Sequence, residues 1–317
     1  MALFRRVAVL MGGPSSEREV SLRSGRAVAT GLRDAGYDVT EVDLAGHEID
    51  LPPDVEAVFI ALHGTFGEDG DAQAILDSQR IPYTGSGAAA SRAAFDKILS
   101  KQAFDEGGIA TPAYEIIRAG EKSQLDLPVV VKPPRQGSSI GVHRVMDESG
   151  WEAAIADALV YDDEVLVESY IEGRELTVGI VDDELLPLVE IAAPDAWYDY
   201  EAKYGGGSQY LVPAPVEEAV ADRCRYLTVR TFEILGCRGF ARVDFRVDGI
   251  GQPYTLELNS IPGFTETSLL PKAAAAAGMS FSELCDRIMR TASFDGDEFT
   301  DTGAGAGSGR RHQTHVV

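Results

Sequence analysis

The stretch Val7-Ala8-Val9-Leu10-Met11-Gly12-Gly13-Pro14-Ser15-Ser16-Glu17 decides the fold class. Its five apolar residues run without a break, as a parallel strand covered on both faces requires. Two glycines and a polar turn end the run. Residues 19–35 then carry Val20, Leu22, Ala27, Val28 and Leu32 at helical spacing and stop at Gly36. Residues 37–42 and 55–62 read as further strands, 73–78 as the start of a helix, and Ile81-Pro82-Tyr83 as another short strand. Strand and helix alternate, which predicts an α/β fold opening on a parallel-sheet, Rossmann-like domain. In such sheets ligands bind at the carboxyl ends of the strands. Those ends carry Gly12–Glu17 and His63-Gly64-Thr65-Phe66-Gly67, two glycine-rich polar loops. Gly85-Ser86-Gly87 and an alanine-rich helix close the unit.

Length and charge bound the rest. A chain of 317 residues exceeds one ordinary core. We expect a domain over 1–94, a second over 95–179, a third over 180–297, and a disordered Gly-rich tail over 298–317. His312 and His315 fall in that tail and carry no expectation of a metal. With 28 basic and 51 acidic residues the net charge is −23. Such a surface repels nucleic acid and anionic lipid, and no basic patch offsets it. No apolar stretch approaches the roughly 18 residues of a membrane helix. Arg5-Arg6 before the first apolar run imitates a signal peptide, but the run is short and lacks a cleavage pattern. Cys224, Cys237 and Cys285 are odd in number and form no CxxC, so they read as structural thiols. A cytoplasmic protein is expected.

In the second unit, residues 127–132 read as a strand, 133–141 as a loop, 151–159 as a helix and 165–170 as a strand. In the third, strands are expected at 185–191, 240–247 and 254–258, with helices at 217–235 and 280–291. Lys132 ends an apolar strand beside Pro133-Pro134-Arg135-Gln136-Gly137-Ser138-Ser139-Ile140-Gly141. A lysine beside a flexible Gly/Ser loop can grip phosphate, although the same stretch also fits an ordinary surface turn. It is neither a P-loop nor a dinucleotide fingerprint.

Alternation in Phe240-Ala241-Arg242-Val243-Asp244-Phe245 puts Arg242 and Asp244 on one strand face, and residues 254–259 do the same for Glu257 and Asn259. If these strands are neighbours, two carboxylates and an amide form an oxygen cluster flanked by a guanidinium. That set suits Mg²⁺ bridging phosphate oxygens; a solvated polar sheet face is the alternative. Gly263, in the Pro-Gly turn that follows, can offer its N–H to an oxyanion or simply make the turn. Glu168 to Glu175 reads as a strand passing into an extended interdomain linker able to face an adenine edge. Tyr198 to Tyr204, before three glycines, reads as a lid or an exposed loop. A lone histidine such as His63 is ordinarily structural, but between two glycine-rich loops it becomes a candidate substrate contact. Its near-neutral reference pKa permits a base role that sequence cannot locate.

GGPSSEREVSLRSG, ALHGTFGEDG, YTGSG, KPPRQGSSIGV, YDYEAKY, GFARVDF and ELNSIPGFTETSLLP occur in this order. Together they resemble the D-alanine:D-alanine ligases of the ATP-grasp superfamily, over the chain to about Thr291. The resemblance implies three α/β domains, with ATP between the second and third. It implies that ATP and two Mg²⁺ ions (Mn²⁺ as a substitute) activate one D-alanine as an acyl phosphate for attack by a second. By the same resemblance Lys97 and Lys132 hold the phosphates under the loop around Ser138 and Ser139. Ser169, Tyr170 and Ile171 face adenine, with Glu168 near its amino group and Glu175 at the ribose. Asp244, Glu257 and Asn259 ligate the metal ions. Glu17 and His63 meet the first D-alanine, Arg242 and Gly263 the oxyanion, and Ser268 and Leu269 the second carboxylate. Lys203 reaches the transferred phosphate, and Tyr204, linked to Ser138 and Glu17, closes the lid. In relatives that make D-alanyl-D-lactate the lid tyrosine is often phenylalanine, so Tyr204 favours the peptide product. A homodimer is implied as well. The competing readings are a ligase with another acceptor, D-lactate or D-serine, and a nucleotide-binding regulator that ligates nothing.

Overall fold

A computed structural model describes residues 3–192 and 208–296. The expected lid residues, Lys203 and Tyr204 among them, and the tail over 298–317 lie outside the described residues.

The first unit is built from β1 (Arg6–Gly12), α1 (Arg18–Asp34), β2 (Asp38–Leu44), β3 (Ala57–Ile60) and α2 (Asp71–Gln79); α3 (Ala88–Phe95) and α4 (Lys97–Gly107) follow, and their Ala94 and Phe104 join the core of the third sheet described below. Its sheet has the order β2-β1-β3 and is parallel throughout. β1 is buried from Val7 to Gly12, as its unbroken apolar run requires. The expected strand at 81–83 contracts to Tyr83, which bridges Val58 in parallel and Ser293 in antiparallel fashion.

A second sheet contains β4 (Tyr114–Ile117), β5 (Val129–Lys132), β6 (His143–Val145) and β7 (Val165–Ser169), with α5 (Trp151–Ala158) between the last two. Its order is β4-β7-β5-β6, all antiparallel. The third sheet holds β8 (Gly173–Val181), β9 (Glu184–Leu185), β10 (Val189–Ala192), β11 (Gln209–Leu211), β12 (Phe240–Asp248) and β13 (Pro253–Asn259). Its path is β11-β10-β8-β12-β13, with β9 on β8. Helices α6 (Glu218–Ile234), α7 (Leu269–Ala276) and α8 (Phe281–Arg290) complete the described chain.

The linker expected over 168–175 is shorter than its sequence suggests: β8 already begins at Gly173, and it runs through the boundary expected at residue 179. The last helices pack into the first core. α8 starts with a capping box between Ser280 and Glu283 and buries Leu284, Cys285, Ile288 and Met289. Each such side chain contributes about 1.5–3 kcal/mol on burial. A Cβ at Gly31 of α1 would stand 2.8 Å from the Cys285 sulfur, so the helices touch through that glycine. Phe59 of β3 stacks edge-on against Phe264 at 5.6 Å, which ties the parallel sheet to the loop after β13.

Cys224 and Cys285 are buried, Cys237 is partly so, and none forms a disulfide. Burial pushes the Cys237 thiol up to about 11 and the Cys224 thiol to about 12, away from nucleophilic or ligating chemistry. Among the described residues no helix is long and apolar enough to cross a membrane.

Candidate active site

The two loops at the ends of β1 and β3 are tied together. Ser21 accepts from the Gly12 amide and donates to the Ala61 carbonyl, both at 2.8 Å. Ser15 donates to the His63 carbonyl at 2.6 Å. Glu17 follows on this turn, and its carboxylate accepts from the Ser138 hydroxyl of the loop after β5. Ser138 and Ser139 lie in the left-handed region, at φ 49° and 57°, where non-glycine residues are uncommon. A Cβ at Gly137 would stand 2.5 Å from a Glu17 oxygen, so a larger residue there would displace the Glu17 carboxylate from its present place.

His63 is 4% exposed, and both its ring nitrogens are engaged. Nδ1 is 3.0 Å from the Ile261 carbonyl and Nε2 3.0 Å from Ser24 Oγ. A carbonyl only accepts, so the network assigns the proton to Nδ1. Ser24 Oγ accepts from the Phe264 amide at 3.2 Å and hence turns its hydroxyl proton toward Nε2. The ring thus braces α1 against the loop after β13. With both nitrogens committed, His63→Gln is expected to raise KM for a substrate bound beside it about tenfold, the cost of a buried polar contact, and to leave the shape of the pH–rate profile unchanged. Loss of the acidic limb in that variant would restore the base role.

Glu257 lies opposite Asp244, and Asn259 opposite Arg242, on neighbouring antiparallel strands. The Arg242 guanidinium grips Asp244 bidentately, at 2.8 and 2.7 Å, and the Asn259 amide donates to Asp244 Oδ2 at 2.9 Å. Glu257 Oε2 is 3.3 Å from Lys97 Nζ, which also donates to the Gln136 carbonyl at 2.9 Å. Among the described residues no three His, Cys, Asp or Glu side chains converge on one point. Two carboxylates and an amide oxygen nevertheless fit Mg²⁺, which takes its remaining ligands from phosphate and water.

Behind them Glu168, fully buried, is clamped by Lys101 at 2.5 Å and Lys132 at 2.7 Å. Burial pushes the Lys101 ammonium down to about 8, against the attraction of Glu168. Burial also works against the Glu168 charge, but the two ammoniums prevail and hold it below the usual carboxylate range.

These groups surround two adjoining pockets. Lys97, Lys132, Ser139, Glu168, Ser169, Tyr170, Ile171, Glu175, Asp244 and Glu257 line the first. Glu17, His63, Arg242, Gly263, Ser268 and Leu269 line the second. Glu68, Gly137, Ser138 and Asn259 line both. The structure thus gathers every sequence-predicted site residue within the described part of the chain. Ser268 accepts from the Thr265 amide at 3.0 Å and precedes the first turn of α7, whose N-terminus favours an anion.

Three residues escaped the sequence reading. Glu68 accepts from the Gly64 amide at 3.0 Å and lies 3.6 Å from His63 Nδ1. Its place in the loop after β3 was the available signal. Lys101 stands one helical turn after Lys97, and Arg246 two residues after Asp244 on the same strand.

A parallel sheet and two antiparallel sheets, with a polar cleft between the latter, define the ATP-grasp class. The family described as D-ala D-ala ligase C-terminus matches residues 103–290, and D-ala D-ala ligase N-terminus matches 45–86. The chain is 49% identical over 296 residues to a D-alanine–D-alanine ligase of Syntrophotalea carbinolica, covering 91% of this chain and 96% of that one. It is 46% identical over 289 residues to one of Methylacidiphilum infernorum, covering 91% and 95%. The D-alanine–D-alanine ligase of Bacillus anthracis superposes with a TM-score of 0.81 at 36% identity, covering 90% of this chain and 97% of that one. A structure of that enzyme complexed with ATP gives 0.80 at 33% identity, with the same coverage. The chain belongs to the D-alanine–D-alanine ligase family.

Proposed function

We propose that this chain joins two D-alanines into D-alanyl-D-alanine at the expense of ATP, supplying a peptidoglycan precursor. The observation that carries the reading is the meeting of the two pockets at Glu68, Gly137, Ser138 and Asn259. One offers lysines and carboxylates to a nucleotide, the other Glu17, Arg242 and a helix N-terminus to amino acids.

A carboxylate is a poor electrophile, and phosphorylation supplies a leaving group. One carboxylate oxygen of the first D-alanine attacks the γ-phosphorus, and the bond to ADP breaks. The amine of the second, having lost a proton, attacks the acyl carbon. The tetrahedral species collapses, and phosphate leaves with the carboxylate's own oxygen. The protein's part is positioning and charge. Glu17 pairs with the first ammonium while His63 braces the wall beside it. Arg242 and the Gly263 amide face the oxyanion, and Ser268 and Leu269 receive the second carboxylate. Lys97 and Lys132 hold phosphate under Ser138 and Ser139. Glu168, Ser169, Tyr170 and Ile171 read the adenine edge, and Glu175 reads the ribose. Lys203 and Tyr204 carry the roles the resemblance implies. Asp244, Glu257 and Asn259 would hold Mg²⁺, or Mn²⁺ in its place, which when bound neutralises charge on the phosphate oxygens.

D-alanine carrying oxygen-18 in its carboxylate is expected to yield inorganic phosphate with one labelled oxygen. Label confined to peptide and unreacted substrate would overturn the acyl phosphate. Arg242→Lys keeps the charge but loses the two-pronged grip on Asp244, and we expect kcat to fall about 10²-fold, as when an oxyanion donor is lost. A fall under threefold would remove Arg242 from the oxyanion site. The reading includes a cytoplasmic homodimer, checked by sedimentation at working concentration, and D-alanine as the preferred acceptor over D-lactate and D-serine. It also includes three structural units.

A further inference from the structure

Arg246 follows Arg242 and Asp244 on alternate positions of β12, so it shares their face of the sheet. It is 6% exposed and lines the first pocket. Across the sheet it stands opposite Glu175 of β8, with NH1 3.5 Å from a carboxylate oxygen. Its Nε donates to the Ile171 carbonyl at 3.1 Å, and NH2 reaches the Tyr170 hydroxyl at 3.2 Å. The guanidinium also lies 5.4 Å from the Tyr170 ring centre, and Arg144 of β6 stacks on the same ring at 5.5 Å. Residues 170–172 are the crossing from β7 to β8, hence from the second sheet to the third.

We propose that Arg246 is a positioning residue for the nucleotide, which locks this crossing and aims the Glu175 carboxylate. The inference rests on the reading that residues 169–171 face adenine and Glu175 the ribose. One planar group serves three partners because its donors form a rigid fork. Without it the crossing and the carboxylate must be ordered when ATP binds, and that cost weakens binding. The effect is expected on nucleotide capture more than on the chemical steps, because Arg246 does not line the second pocket.

The test is steady-state kinetics on the full chain with ATP varied, for wild type, Arg246→Met, Glu175→Gln and the double variant. Each single substitution is expected to raise KM for ATP about tenfold, the value of a charge-assisted contact. For Arg246→Met the change in KM exceeds the change in kcat, and KM for D-alanine stays within twofold. The double variant is expected to be no worse than the weaker-binding single one, since both act on the same carboxylate. Multiplied effects in the double variant, or an unchanged KM in Arg246→Met, would overturn the proposal. Arg246→Lys, which keeps the charge without the fork, serves the same cycle if the methionine variant fails to fold. Wild-type protein that binds ATP but makes no dipeptide would sink the proposed function instead. Calorimetric ATP binding by the same four proteins then decides the role of Arg246.

Discussion

Glu257→Gln is expected to lower kcat for D-alanyl-D-alanine formation by at least about 10³-fold, with little change in melting temperature. The side chain faces Asp244 across the strand pair and Lys97 at 3.3 Å, at the edge of the nucleotide pocket. Glutamine keeps its shape and can still accept from the lysine. What it loses is the negative charge that a divalent cation requires of its ligands. The partly open site places little folding energy on this group, so stability and activity separate. Raising Mg²⁺ is expected to recover part of the loss, because the weakened cation site fills by mass action. Activity within tenfold of wild type at ordinary Mg²⁺ would remove Glu257 from the metal site.

The second large effect is on stability. Glu168→Ala is expected to cost about 3–5 kcal/mol, the usual result of removing one partner from a buried ion pair. Glu168 is the acid between two lysines that are themselves buried, Lys101 fully and Lys132 at 6% exposure. The pH dependence has a definite sign. The Lys101 ammonium titrates at about 8 in the folded chain, below its unfolded value, so the penalty for burying its charge is full below 8. It is relieved as pH rises toward the unfolded value, because there the unfolded state binds more protons. Removing Glu168 takes away the attraction that supports the folded ammonium and enlarges this penalty. Glu168→Ala and wild type should therefore differ most in melting temperature near pH 7 and converge toward pH 10. Curves that diverge with rising pH would contradict the assignment of charge to this trio.

Much of the site is legible in the sequence, for a reason visible in Arg242, Asp244, Glu257 and Asn259. Strand alternation fixes which side chains share a face, and one pairing then brings two faces together. The parallel sheet is equally legible, because an unbroken apolar run ending in Gly12-Gly13 has few other uses. The misses have physical causes. α4 was not read because Lys97, Ser100 and Lys101 occupy its buried face, where charge paired within the core imitates a solvated surface. The first half of β8 reads as a linker because Arg174 and Glu175 find partners across the sheet, in Glu190 and Arg246. β4 is short, and Ile116 on it is exposed, so neither length nor alternation marks it. Arg246 is marked by the same alternation as Asp244, two residues further along β12. Lys101 is not, since nothing local shows that a helix will turn an ammonium inward toward Glu168.

The central claim is that the two pockets belong to one reaction, and product analysis tests it most directly. Purified protein with ATP and Mg²⁺ is supplied with D-alanine, L-alanine, or D-alanine plus D-lactate, while ADP release is followed and products are identified by mass. The account predicts one ADP for each D-alanyl-D-alanine, no product from L-alanine, and dipeptide in preference to D-alanyl-D-lactate. ADP released without dipeptide, or ATP bound with no turnover, would contradict it.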